Sequence, residues 1–201
     1  MMSDTTGESN DPVDVVQLYV DALALFGNAV RDLADHEWDL PTPSTDWNVK
    51  EVVAHVVLGE AHLPAVLSGD TTTTQNEFSV DLLGTSPMAA WRGTALQAIE
   101  AARAPGIVEQ TFELDMGTVD GRQLLGYRIT DNVVHAWDLQ VAAGRPRPID
   151  DRFAEWLLEF WQPVASQIAD TDFFGAPTAP ASDSPSDRLL ALLGRTSPPS
   201  S

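Results

Sequence analysis

The sequence predicts an all-α fold, an antiparallel four-helix bundle with additional short helices and a short hairpin. Two observations carry this: apolar residues recur at steps of three and four over long stretches, and cap residues, prolines and glycines start and stop each stretch. There is no internal repeat. Amphipathic helices joined by loops bury their apolar stripes against one another, and such bundles place polar sites between facing helices.

Residues 11–35 read as the first helix, with Val16, Tyr19, Leu23, Phe26, Val30 and Leu33 on one face. The loop from His36 to Trp47 contains two prolines, Pro41 and Pro43, which keep it non-helical. Asn48 and Glu51 have the spacing of a capping box, so a second helix begins near residue 48. Val49, Val52, Val53, Val56 and Val57 give it a broad apolar face. Pro64 falls inside that pattern and deprives the Glu60 carbonyl of its helical donor, which predicts a kink or an early end. Gly69 to Gly84 is polar, threonine-rich and loop-like. Ser86 as cap and Pro87 at the first helical position open a third helix, with Trp91, Ala95, Ala98 and Ala102 on one face. Pro105-Gly106 stops it.

Between residues 107 and 121, β-branched and aromatic residues alternate with polar ones and Asp120-Gly121 supplies a turn, so short strands are predicted. A fourth helix runs from about 122 to 143, closed by Gly144 and Pro146. A fifth starts near Asp150, with Phe153, Trp156, Leu157, Phe160, Trp161 and Val164 facing inward. Gly175 to Ser186 reads as a linker or surface strap, and residues 187–193 as a last short helix. The chain therefore divides into a bundle over 11–175 and a strap with a short helix over 176–201.

Composition narrows the function. With 43% apolar residues in 201, the chain can build a substantial core. Eleven basic residues against thirty acidic ones give a net charge of −19, which repels nucleic acid phosphates and anionic lipid and argues against both as partners. The chain has no cysteine, so disulfides, thiolate ligands and a cysteine nucleophile are excluded. The first ten residues lack the basic and apolar regions of a signal peptide, and the most apolar stretch, Val52 to Leu58, is too short to span a membrane. A cytoplasmic location is predicted. Lys50 is the one lysine beside ten arginines, a usage that suits a GC-rich bacterial genome.

His55 lies in an apolar stretch of the second helix, where each ring nitrogen needs a partner; a metal supplies one, and so does an ordinary hydrogen bond. Asp131 and His135, four apart in Asp-Asn-Val-Val-His, share one helix face about 6 Å from each other. A carboxylate and an imidazole at this spacing can chelate one cation, or simply bond to each other. Asp138 follows one turn later, either orienting a ligand or pairing with an arginine such as Arg128 or Arg145, the second being the simpler reading. His62, seven residues after His55, either borders the pocket or replaces a ligand, with a rim position the simpler reading. Trp47 and Trp137 flank the two segments as core residues and pocket walls, and His36 stands at a helix end.

The segments PTPSTDWNVKEVVAHVV and DNVVHAWDLQVAAGRP, about 75 residues apart, resemble the two signatures of the DinB-like family of mycothiol-dependent maleylpyruvate isomerase N-terminal domains. DRLLALLGR resembles the ending of its stand-alone actinobacterial members, so the likeness runs from about residue 12 to 195. The resemblance implies metal ligands at His55, Asp131 and His135, a divalent transition metal (zinc first, then nickel or another), and a low-molecular-weight thiol such as mycothiol whose sulfur the metal activates. It implies a transferase or isomerase-like enzyme acting on a small electrophile. Three departures stand out: Asp131 replaces the usual glutamate, Ser44 a frequent cysteine, and Ala136 the commoner glycine. The chain is expected to lack the separate C-terminal domain of the full isomerase, so maleylpyruvate is not carried over as substrate. A non-catalytic metal-binding or interaction module, a small-molecule metallohydrolase and a bundle with a decayed site are the alternatives. No glycine-rich phosphate loop or nucleophile elbow supports a different class.

Overall fold

A computed structural model of the protein describes residues 13–44, 46–70, 78–114, 117–167 and 174–198. Among these it contains six α-helices and one two-stranded sheet. Helix α1 (Val15–Arg31) starts where the Asp14 carboxylate accepts the N–H groups of Val16 and Gln17 at 3.0 and 3.1 Å. Of the predicted 11–35, residues 11 and 12 lie outside the described residues, Val13 and Asp14 precede the helix, and it stops at Arg31. Beyond Asp32 the chain tightens into a 3-10 turn, Asp35–Glu37, which holds the exposed His36. Helix α2 (Val49–Leu67) opens on the predicted box: Glu51 N–H donates to Asn48 Oδ1 at 3.0 Å and Asn48 N–H to Glu51 Oε2 at 2.8 Å.

The early end predicted at Pro64 does not occur. The helix runs on to Leu67, and the Ser68 N–H bonds back to the Pro64 carbonyl at 3.0 Å. One missing donor is tolerated there because Leu63 and Leu67 are both buried and hold the last turn in place. The following loop is described only in part: residues 71–77 of the predicted 69–84 stretch lie outside the described residues, and Val80–Leu83 form a 3-10 turn. Helix α3 (Pro87–Ala102) has Ser86 as its cap, as read from the sequence.

Strands β1 (Thr111–Leu114) and β2 (Gly117–Asp120) pair antiparallel, with the buried Phe112 opposite the buried Val119. Asp120-Gly121 is not the hairpin turn. Asp120 ends β2 and at once caps α4 (Gly121–Ala142), exchanging hydrogen bonds with Gln123 at 2.7 and 2.9 Å. Glycine is required next to it, since a Cβ at position 121 would overlap the Ile107 carbonyl oxygen. Helix α5 (Asp151–Trp161) buries Phe153, Trp156 and Leu157, and Phe160 and Trp161 pack at its edge. Val164 is exposed instead of inward, because the chain leaves the α-helical phase at Trp161 and enters a 3-10 turn containing Pro163. The last helix, α6 (Pro185–Leu192), puts Leu189 and Leu190 into the same core as α5.

Helix α4 packs against α1 and α2, and α3 against α2 and α1. Helices α2 and α4 run antiparallel: His55 meets His135, whereas Glu60, further along α2, meets Arg128, earlier on α4. Fully buried Tyr19, Phe26, Leu125, Ile129, Leu157 and Leu189 fill the centre, each large apolar side chain contributing about 1.5–3 kcal/mol relative to exposure. Against this background α4 is unusual. Thr130, Asn132, His135 and Asp138 are all buried on it, and buried polar groups must be partnered.

Candidate metal centre

Helix α2 supplies His55, and α4 supplies Asp131 and His135 one turn apart. One nitrogen of each imidazole and one carboxylate oxygen lie within 4.8 Å of one another, with His55 Nε2 3.5 Å from Asp131 Oδ2. The two rings meet edge to face at 5.2 Å between centroids. A tetrahedral ion with bonds of ~2.0–2.1 Å needs donors roughly 3.4 Å apart, so side-chain adjustments of about an ångström would close these three around one. The donor set, two imidazoles and a carboxylate, suits a borderline divalent ion and leaves coordination positions for other ligands.

His135 is fixed from behind. Its Nδ1 lies 2.9 Å from Asp138 Oδ2, and Arg195 reaches the same carboxylate through Nη2 at 3.0 Å to Oδ2 and Nε at 3.4 Å to Oδ1. Burial pushes the Asp138 carboxyl up, but the His135 hydrogen bond and the Arg195 charge outweigh it and hold the group below the usual carboxylate range. Asp138 is thus an ionised acceptor, so Nδ1 carries the hydrogen and Nε2 is left with its lone pair. Burial also pushes the His135 imidazole below its ordinary value, only partly opposed by Asp138. The neutral ring is the form that ligates a metal.

The sequence leaves Asp138 either orienting a ligand or pairing with an arginine such as Arg128 or Arg145; the structure sets it against both His135 and an arginine, but that arginine is Arg195 and neither of the two named. Arg145 instead forks onto Glu37 at 2.6 and 2.9 Å, and Arg128 is committed elsewhere. Arg128 Nη1 donates to Asp131 Oδ2 at 2.5 Å, while Nε and Nη2 donate to Glu60 Oε1 at 3.1 and 2.8 Å. Glu60 is fully buried and also accepts from Asn132 Nδ2 at 2.7 Å and from the Tyr19 hydroxyl. Burial and the Glu60 charge push the Tyr19 phenol far above its usual value, so it remains a donor. Burial raises the Asp131 carboxyl, but Arg128 and His55 outweigh that and keep it well below the ordinary range.

Gly59 makes this arrangement possible. A Cβ there would lie 2.5 Å from Cζ and from Nη2 of Arg128, and closer still to Nη1. The guanidinium lies across the bare backbone of α2 to reach both acids. Sequence reasoning did not find Tyr19, Glu60, Asn132 or Arg195, and it misplaced Arg128. A glycine in mid-helix at position 59 was the one available signal of a close approach.

Trp47 stacks near His55, with centroids 4.7 Å apart, and the exposed Phe78 stacks on Trp47 at 5.6 Å. Trp47 is therefore beside the site, whereas Trp137 is buried in the core. His62 is half-buried and outside the three-donor cluster; burial and the charge of Arg128 push its imidazole down. A cavity of about 320 Å³ elsewhere, lined by Leu25, Asn28, Leu139 and Arg147 among others, includes none of the three donors.

Residues 20–140 match the family described as mycothiol maleylpyruvate isomerase N-terminal domain. The chain belongs to this family. Two uncharacterized proteins of Mycobacterium tuberculosis, from strains CDC 1551 / Oshkosh and ATCC 25618 / H37Rv, are each 31% identical to it over 194 residues, covering 92% of this chain and 98% of theirs. In structure it is similar to mycothiol-dependent maleylpyruvate isomerase, with a TM-score of 0.59 and 15% identity over 77% of this chain and 68% of that one. A histidine-to-alanine mutant of that isomerase matches with the same TM-score at 14% identity, over 82% of this chain and 72% of that one. At such identity the likeness is one of fold, and the DinB-like helical fold expected from the sequence is the fold observed. The matched residues include His55, Asp131 and His135.

Proposed function

We propose that the protein binds one divalent transition metal, zinc first among them, through His55, Asp131 and His135, and uses it in a thiol-dependent transferase or isomerase-like reaction. The observation that carries this reading is the convergence of the three donors within 4.8 Å across two antiparallel helices. When bound, such an ion lowers the pKa of a coordinating thiol, giving a nucleophile at neutral pH. The thiol comes from outside, since the chain has no cysteine. Family membership favours mycothiol as its source.

The protein's own groups prepare the charge balance. Glu60, Asp131 and Asp138 carry three negative charges against two positive ones on Arg128 and Arg195, which leaves one net negative charge from these five groups. A divalent cation reverses that to one net positive charge, which favours one further anionic donor such as a thiolate. His135 is held with Nε2 available, and Trp47 and Phe78 form an apolar wall beside His55. Arg128 holds the short Asp131 carboxylate. A carboxylate oxygen has more than one lone pair, so accepting from Arg128 leaves Asp131 able to ligate.

Elemental analysis of protein purified without a histidine tag tests the metal, with His135→Ala as comparison. About one equivalent in the parent and none in the variant is expected, with helicity retained in both. Equal metal in both would refute the site. Conjugation assays with mycothiol and bacillithiol against small electrophiles then separate a thiol-dependent enzyme from a binding module, which would show no turnover, and from a hydrolase, which would turn over without thiol.

A further inference from the structure

We propose that Arg195 is a positioning residue for the metal centre, and that the C-terminal tail thereby sets the orientation of His135. The inference rests on the metal reading above. Arg195 ends the DRLLALLGR segment, 57 residues after Asp138, and follows α6, a helix that buries leucines against α5. Its placement is built into the chain. Gly194 adopts φ +73°, and the end of α6 closes with Arg195 N–H bonding to the Leu190 carbonyl at 2.8 Å and Gly194 N–H to the Ala191 carbonyl at 3.2 Å. This reversal turns Arg195 back into the bundle.

A second contact locks the reversal. The backbone of Gly175 lies directly against Gly194, where a Cβ would be 2.5 Å from the Gly175 carbonyl carbon. Thr178 Oγ1 donates to the Arg195 carbonyl at 3.2 Å, and Arg195 Nη1 to the Leu193 carbonyl at 3.0 Å. The guanidinium is left with one outward commitment, the Asp138 carboxylate, which it grips through two nitrogens. Asp138 is fully buried and Arg195 is 7% exposed, so this is a desolvated pair in which a missing partner matters. Asp138 in turn holds His135 Nδ1 at 2.9 Å. Outer partners of this kind fix the ring and tautomer of a ligating histidine, and their loss costs roughly 10–100-fold in metal affinity. Arg195→Met should therefore loosen zinc although it touches no ligand.

The test is a zinc titration under a competing chelator on the full chain, with ¹⁵N NMR of the His135 ring in the metal-free protein. Arg195→Met should weaken zinc by roughly 10-fold or more, near the low end for outer partners. The His135 ring should leave the single Nδ1–H tautomer of the parent. On an Asp138→Ala background the same change should add no further loss, because its route to the metal is gone. Arg188→Met removes an exposed arginine from the same tail and leaves the Arg195–Asp138 pair in place, so its zinc affinity should stay at the parent's. An equal loss in Arg188→Met, or unchanged affinity and unchanged His135 shifts in Arg195→Met, would overturn the proposal. If the parent itself bound no zinc, the metal reading would fall, and the His135 shifts would still decide whether Arg195 orients the ring.

Discussion

Replacing Gly59 with alanine sets two effects of opposite sign against each other. In an exposed helix interior, Gly→Ala stabilises by about 0.5–1 kcal/mol, because glycine has more backbone freedom to lose. At position 59 the new methyl would meet the guanidinium of Arg128, with Cζ and Nη2 both at 2.5 Å, more than an ångström inside normal contact. The end of a flexible side chain could usually move aside cheaply. Here it is pinned by Glu60, Asp131 and the Val56 carbonyl, and only 12% of the side chain is exposed. Displacing it leaves Glu60 charged, fully buried and without its cation, a loss of about 3–5 kcal/mol for a broken buried pair. Net of the helix gain, Gly59→Ala should destabilise by about 2–4 kcal/mol, or roughly 5–15 °C in Tm for a domain of this size. Gly93 in α3 is the control, since a Cβ there meets nothing within 4 Å. Gly93→Ala should stabilise by about 0.5–1 kcal/mol. Thermal and urea unfolding of both variants measures this, and a Gly59→Ala protein as stable as the parent would refute the pinned guanidinium.

Three further outcomes are expected. Asp131→Ala should weaken zinc at least ~10-fold in a chelator-competition titration, whereas Asp131→Glu should keep or tighten it; an alanine variant that binds like the parent would show that this carboxylate is not a ligand. His55→Ala should lose stoichiometric metal by elemental analysis while its far-ultraviolet circular dichroism stays helical, because the bundle has its own apolar core. The Arg145 hydrogen bonds lower the Glu37 pKa from 4.5 to about 2, so the folded state binds this proton less readily than the unfolded chain. Its stabilising contribution is present above pH 4.5 and is lost as pH falls toward 2; Glu37→Gln should be less stable at neutral pH and show a shallower acid transition across that window.

The helices were legible because their signals are local. Asn48, Ser86 and Asp150 act within three residues, and the valine face of α2 repeats with the helical period. The Asp131, His135 and Asp138 ladder was legible for the same reason, since one helix face orders it. What joins that ladder to the rest was not. Arg128 meets Glu60 across 68 residues and Arg195 meets Asp138 across 57, and no period or cap encodes such pairings. Asp120 was misread because Asp-Gly signals a hairpin turn and Asp before a helix signals a cap. The hydrogen bonds to Gln123 decide for the cap.

Two of the ten arginines, Arg128 and Arg195, are withdrawn from the surface to serve buried acids. The exterior is therefore poorer in positive charge than the composition suggests, within a molecule whose net charge is −19. Such a field raises the local concentration of divalent cations and slows the approach of anionic small molecules, and both effects shrink once the Debye length falls to about 8 Å at physiological ionic strength. Capture of metal should thus be fastest in dilute buffer, and encounter with an anionic reactant fastest in salt.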